Sequence, residues 1–168
     1  MSDVRSPEIE FESDDFDFSS IEEELRVDER CQSLLSCFYR YLQNLGCSSQ
    51  VASNLAYGAD YFLRNYLLDF ARQNVVRPKP GIVSYFAASW FITHTLAPER
   101  EVLDHHLEAV QEFYRYLKQQ HYISADELAV IEEEAAQSEY YHQRIERFLA
   151  IVGDGFFAWD AECPVPFR

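Results

Sequence analysis

The chain has 168 residues, 48% of them apolar and 15% aromatic, which is enough for one well-buried core and short for two. Its formal charge of -15, from 29 acidic and 14 basic residues, argues against tight binding of duplex DNA, where phosphate neutralisation supplies much of the affinity. Cys31, Cys37, Cys47 and Cys163 follow no CxxC or zinc-ligand spacing, and no signal peptide precedes them, so they read as free thiols of a cytoplasmic protein.

Residues 1 to 28 form an acidic tail. Within 1 to 30 there are 12 acids against 3 bases, too few apolar groups per charge to offset the entropy of ordering, so disorder is expected there. Phe11, Phe16 and Phe18 interleave with the acids. Such a segment can dock on a basic, partly apolar groove, either of a partner or of this same chain, and the plainer role is solubility.

A helical bundle is expected from 29 to 153. Leu34, Cys37, Phe38, Tyr41, Leu42 and Leu45 recur at three- and four-residue spacing and mark one helix face. Gly46 stops that helix, and Ser48 or Ser49 caps a second one reaching Phe70, so a short turn sets the two antiparallel. Between Tyr61 and Pro98 the charge reverses, with Arg64, Arg72, Arg77 and Lys79 facing only Asp69. This basic strip runs into Pro78 and Pro80, which open a third helix expected to end near Leu96. Its nearly uncharged stretch, 82 to 97, is shorter than the ~20 residues a membrane span requires, and it reads as a buried core helix.

Pro98, with Glu99 and Glu101, suits the first turn of a fourth helix, whose apolar face includes Leu103, His106, Val110 and Phe113. Ser124 and Glu127 form a capping box that starts a fifth helix, with Ile123 and Leu128 as a hydrophobic staple. Gly153 and Gly155 end it, and the aromatic segment 154 to 168 is expected to pack back on the bundle. The fold class is therefore all-α: a single bundle of about five helices built from two hairpins, preceded by the tail.

The pentapeptide Phe-Tyr-Arg-Tyr-Leu occurs at 38 to 42 and again at 113 to 117. The first copy is followed by Gly46, the Ser48-Ser49 turn and a long helix, and the second is preceded by the aromatic pairs Tyr85-Phe86 and Trp90-Phe91. Over about 31 to 123 this order resembles the helical core-binding, or SAM-like, domain of tyrosine recombinases and phage integrases, and small bacterial proteins of the same layout. The resemblance implies a helical scaffold whose basic faces contact DNA. It also implies a catalytic domain with arginines, a lysine, histidines and a nucleophilic tyrosine, whereas an acidic helix and a short tail are all that follow residue 123 here. Strand exchange is thus not expected of this chain.

No other chemistry competes. Glu101, His105, Glu108 and Glu112 share a helix face at metal-compatible spacing, but a di-metal bundle needs matching ligands on other helices, and a solvated face is the expectation. His106 sits among apolar positions and reads as a packed histidine. We expect no catalytic residue, no cofactor and no metal. The leading reading is a non-catalytic interaction or regulatory module that binds another protein, with the tail used for docking or self-masking. The alternatives are a DNA-binding accessory protein, using Arg64, Arg72, Arg77 and Lys79 with Arg40 and Arg115, and an acidic DNA mimic. The oligomeric state is left open.

Overall fold

A computed structural model describes residues 10–163. All regular structure among these residues is helical, and seven helices follow a short 3₁₀ turn at Ser13–Phe16. They are α1 (Ile21–Asn44), α2 (49–70), α3 (82–93), α4 (Arg100–Gln119), α5 (Ala125–Ala135), α6 (Ser138–Leu149) and α7 (Phe156–Ala161). The chain divides into two compact units, Met1–Arg77 and Pro78–Arg168. The division falls at Arg77-Pro-Lys-Pro, where two prolines lack the N–H that a continuing helix needs.

In the first unit α1 and α2 form the expected hairpin. Gly46 ends the turn of α1 at φ 97°, a left-handed conformation that a residue without Cβ adopts at least cost. Ser48 then caps α2, its hydroxyl accepting from Val51 N. Val27, Cys31, Leu34, Phe38 and Leu42 bury one stripe of α1. From α2 come Ala52, Leu55, Ala59, Phe62, Leu63, Tyr66 and Leu67. The second half of α2, Tyr61–Phe70, winds more loosely in a π register, visible at its end where Ala71 N–H donates to Tyr66 O.

Disorder does not extend through residue 28 as expected. Residues 10 to 20 lie folded against the unit, Phe16 is fully buried, and α1 begins eight residues earlier than the pattern indicated. The acids that argued for disorder are the reason. Ser20 caps α1 by accepting from Glu23 N, and Glu22, Glu23 and Glu24 occupy the first turn, where the positive end of the helix dipole favours carboxylates. Residues 1 to 9 of the expected tail lie outside the described residues, as do 164 to 168 of the C-terminal segment.

In the second unit α3 is also partly π, over Phe86–Trp90, and ends at Thr93 rather than near Leu96. The N-cap of α4 is Glu99, so Pro98 precedes the helix instead of opening its first turn. The capping box of α5 forms as expected: Glu127 N donates to Ser124 Oγ, and Ser124 N donates to Glu127 Oε1. The expected fifth helix breaks at Gln137 into α5 and α6. Side chains compensate the broken ladder, because Tyr141 OH donates to Glu134 O at 2.6 Å and Gln137 Nε2 donates to Glu133 O.

Candidate functional site

The basic strip is the feature that sequence singled out, and the structure shows what its arginines touch. Arg77 pairs with Asp14, and its Nη1 lies 3.1 Å from Asp17 Oδ2. The hydrogen bond that Arg77 donates to Asp14 is the main cause that raises the pKa of an already basic guanidinium. Arg72 donates to Glu24 Oε2 at 3.1 Å and lies over the ring of Phe18, 5.1 Å from its centre. Asn74 ties the two together, its Nδ2 donating to Ser13 O at 2.9 Å and to Asp17 Oδ1 at 2.8 Å. Its own Oδ1 accepts from Val76 N. Arg30 adds a bond to the Asp15 carbonyl from the side of α1.

The three tail phenylalanines therefore dock within their own unit. Phe16 fills the core, Phe11 stands edge-on against it at 5.4 Å, and Phe18 supports Arg72. Arg72 itself has φ 53°. A left-handed conformation costs an L-residue about 1–2 kcal/mol and favours glycine, so the backbone gives no reason for arginine there. Its side-chain contacts do.

Arg64 lies elsewhere, in the groove between α1 and α2. It makes a two-pronged contact with Asp60, one prong Nη2–Oδ2 at 2.9 Å, and sits 3.6 Å from Asp28. The hydrogen bond to Asp60 raises its pKa. Cys31, buried nearby, is pushed up to about 12 by its burial first and then by Asp28, so this thiol stays protonated and unreactive at neutral pH.

Two openings flank Arg64 on this groove. One, of about 490 Å³, is lined at the start of α1 by Ile21, Glu24 and Leu25 and on α2 by Leu68 and Asp69. The other, of about 680 Å³, lies between Tyr39 and Arg40 of α1 and Ser53 and Tyr57 of α2. Arg40 is exposed, and its guanidinium has one contact among the described residues, with Cys37 Sγ at 3.4 Å.

Arg115 and Lys79 belong to the second unit. Arg115, the counterpart of Arg40 in the repeated pentapeptide, donates to Glu112 at 2.6 Å and reaches across to Glu132 of α5 at 3.1 Å. Lys79 is exposed beside Asp126 and Glu127 on the wall of a cavity of about 200 Å³. The acidic face of α5 is partly used internally, since Glu134 accepts from Gly81 N at 3.0 Å and from Ser84 N at 2.9 Å, capping α3.

Histidines that lacked partners in sequence acquire neighbours here. His142 Nε2 lies 2.8 Å from Asp104 Oδ1, while His94 stacks on Trp90 at 4.6 Å. His106 is buried edge-on to Phe86 and Phe91. Among the described residues no three His, Cys, Asp or Glu side chains converge as metal ligands. No helix among them is long and apolar enough to cross a membrane.

Sequence reasoning missed Arg144. Only 1% exposed, it donates from Nε to Ala88 O at 3.0 Å and from Nη1 to Trp159 O, and its Nη2 has no hydrogen-bond partner among the described residues. Nothing in the local pattern distinguished it from the surface arginines Arg100 and Arg147. No protein-family model, curated protein or solved structure matches this chain.

Proposed function

We propose that the chain is a non-catalytic helical interaction module whose basic strip is kept covered by its own acidic, aromatic segment until a partner protein displaces it. One observation carries this reading: Asp14, Asp17 and Glu24 engage Arg77 and Arg72 while Phe18 lies under the guanidinium of Arg72. Exposed ion pairs contribute little stability, so the cover is held mainly by Phe16 and is easily opened at its charged edge. The four free thiols suit a reducing, cytoplasmic setting. The resemblance to integrase core-binding domains enters as a scaffold, with its DNA-contacting role replaced by protein contact.

DNA binding is the second reading, and the exposed Arg40 favours it. Against it, Arg64, Arg72, Arg77 and Arg115 each face a carboxylate already. The DNA-mimic reading is weaker again, because Glu132 and Glu134 are spent on Arg115 and on the cap of α3. The test is an Asp14→Asn, Asp17→Asn, Glu24→Gln variant, which keeps Phe16 and Phe18 in place. We expect it to gain retention on an immobilised polyanion at low salt and to lose it as salt rises. Equal retention of variant and wild type would refute the masking. A duplex-DNA shift by the variant at physiological salt would move the reading from protein partner to nucleic acid.

A further inference from the structure

The α1/α2 face that carries the two openings has the chemistry of a surface that pairs with itself. Its lining positions on α1, such as 21, 25, 28, 32, 36 and 39, follow one another at three- and four-residue steps and so form one stripe. Ile21 and Leu25 stand on it 73% and 62% exposed at one end, and Tyr57 stands 71% exposed at the other. Large apolar groups in contiguous exposed patches mark interaction sites.

The charges on this face are ordered along its length. Arg64 is satisfied by Asp60 and Asp28, and Glu24 by Arg72. That leaves Arg40 in one opening and Asp69 in the other, both exposed and neither with an ionic partner among the described residues. Because the helices are antiparallel, the end of α1 lies beside the start of α2, and Arg40 and Asp69 fall at opposite ends of the face. Leu25 and Arg40 are 15 residues apart on one helix, or about 22 Å.

A two-fold axis through the middle of such a face brings opposite ends together. Arg40 of one copy then meets Asp69 of the other, twice per dimer, and Ile21 and Leu25 enter the opening beside Tyr39 and Tyr57. We infer that a second copy of this chain occupies the α1/α2 face, as an isologous dimer in which the apolar end of each protomer packs against the tyrosine end of its partner. The size is adequate: a two-helix face roughly 36 Å long and 20 Å wide offers about 700 Å², near the ~800 Å² per partner of a standard interface. Of the residues lining the two openings only Glu24 also holds the acidic cover, and the variants that test the pairing leave it unchanged.

The experiment is sedimentation equilibrium of the full chain, with circular dichroism to verify folding of every variant. Wild type is expected to dimerise, and Arg40→Glu or Asp69→Arg alone to weaken the dimer by about tenfold or more, since each change sets two like-charge contacts into the interface. Arg40→Glu with Asp69→Arg restores it. Tyr57→Ala weakens it without changing its salt dependence. A monomeric wild type overturns the inference, as does a dimer indifferent to both single reversals. Failure of the double reversal to recover the dimer while both singles lose it also overturns the two-fold pairing.

Discussion

Arg144 and Trp159 hold each other by two bonds, each from the side chain of one to the main-chain carbonyl of the other. The guanidinium donates to the carbonyl of Trp159, the indole Nε1 donates to the carbonyl of Arg144 at 2.9 Å, and the guanidinium carbon lies 3.8 Å from the ring centre. A buried cation without a carboxylate costs several kcal/mol of desolvation, and the ring face and carbonyl dipoles offset part of that. This clasp is what docks α7 on α6. Trp159→Ala is expected to destabilise by about 3–5 kcal/mol, and Trp159→Phe, which keeps a ring but loses the indole donor, by about 1–2 kcal/mol. Arg144→Met removes the charge together with its cost and is expected to fall within about 1 kcal/mol of wild type or above it. Urea denaturation ranks all three. A phenylalanine variant as stable as wild type would show that the indole bond contributes nothing.

Glu134 carries a second relationship with a measurable consequence. Gly81 brings no side-chain acceptor to the start of α3, and the carboxylate of α5 serves in its place by accepting from Gly81 N and Ser84 N. Glu134→Ala leaves these donors without that partner and is expected to cost about 1–2 kcal/mol, in the range of a lost N-cap. Glu134→Gln retains one acceptor oxygen and loses roughly half as much. Amide exchange at Gly81 and Ser84 should quicken in both variants. Exchange at the Ser124 cap of α5, which uses its own residues, should not.

Those two relationships lie beyond what the sequence made readable. Helix faces, the Gly46 stop and the Ser48 and Ser124 caps follow from spacings of three or four residues, and all are seen. Partners far apart in the chain left no such trace: Glu134 with Gly81 and His142 with Asp104 are 53 and 38 residues apart. The start of α1 was missed for a different reason. Charge density at Glu22, Glu23 and Glu24 was weighed as a penalty on ordering, when at a helix N-terminus the same charges stabilise. The twin pentapeptides show the limit most plainly. One identical segment leaves Arg40 exposed beside a thiol, and the other clamps Arg115 between Glu112 and Glu132.

Arg72 offers a test that separates backbone strain from side-chain purpose. At φ 53° glycine relieves about 1 kcal/mol that alanine does not, so Arg72→Gly should be more stable than Arg72→Ala by about that amount. Both variants lose Glu24 and Phe18 as partners. We expect amides of residues 13 to 17 to exchange faster in both by a similar factor, whatever their relative stability. If Arg72→Gly leaves exchange there unchanged, the guanidinium has no part in holding the acidic segment.

Cys31 predicts how stability responds to alkali. The folded thiol titrates at about 12, against 9.0 for an unperturbed one, because burial disfavours the thiolate. Below pH 9 both states keep the proton and the group contributes no slope. Above it the unfolded chain loses a proton that the folded chain retains, so stability falls as pH rises, by up to about 1.4 kcal/mol per pH unit, until the folded thiol ionises near 12. Tyr141, pushed up to about 12 by burial, adds the same sign in the upper part of that window. Cys31→Ala is expected to start lower at pH 7, by about 1–2 kcal/mol for the space left behind, and to lose stability less steeply between pH 9 and 11. Urea midpoints measured across that range compare the two slopes directly. Parallel alkaline limbs in wild type and Cys31→Ala would mean that the thiol ionises at its ordinary value and that the first unit opens readily around it.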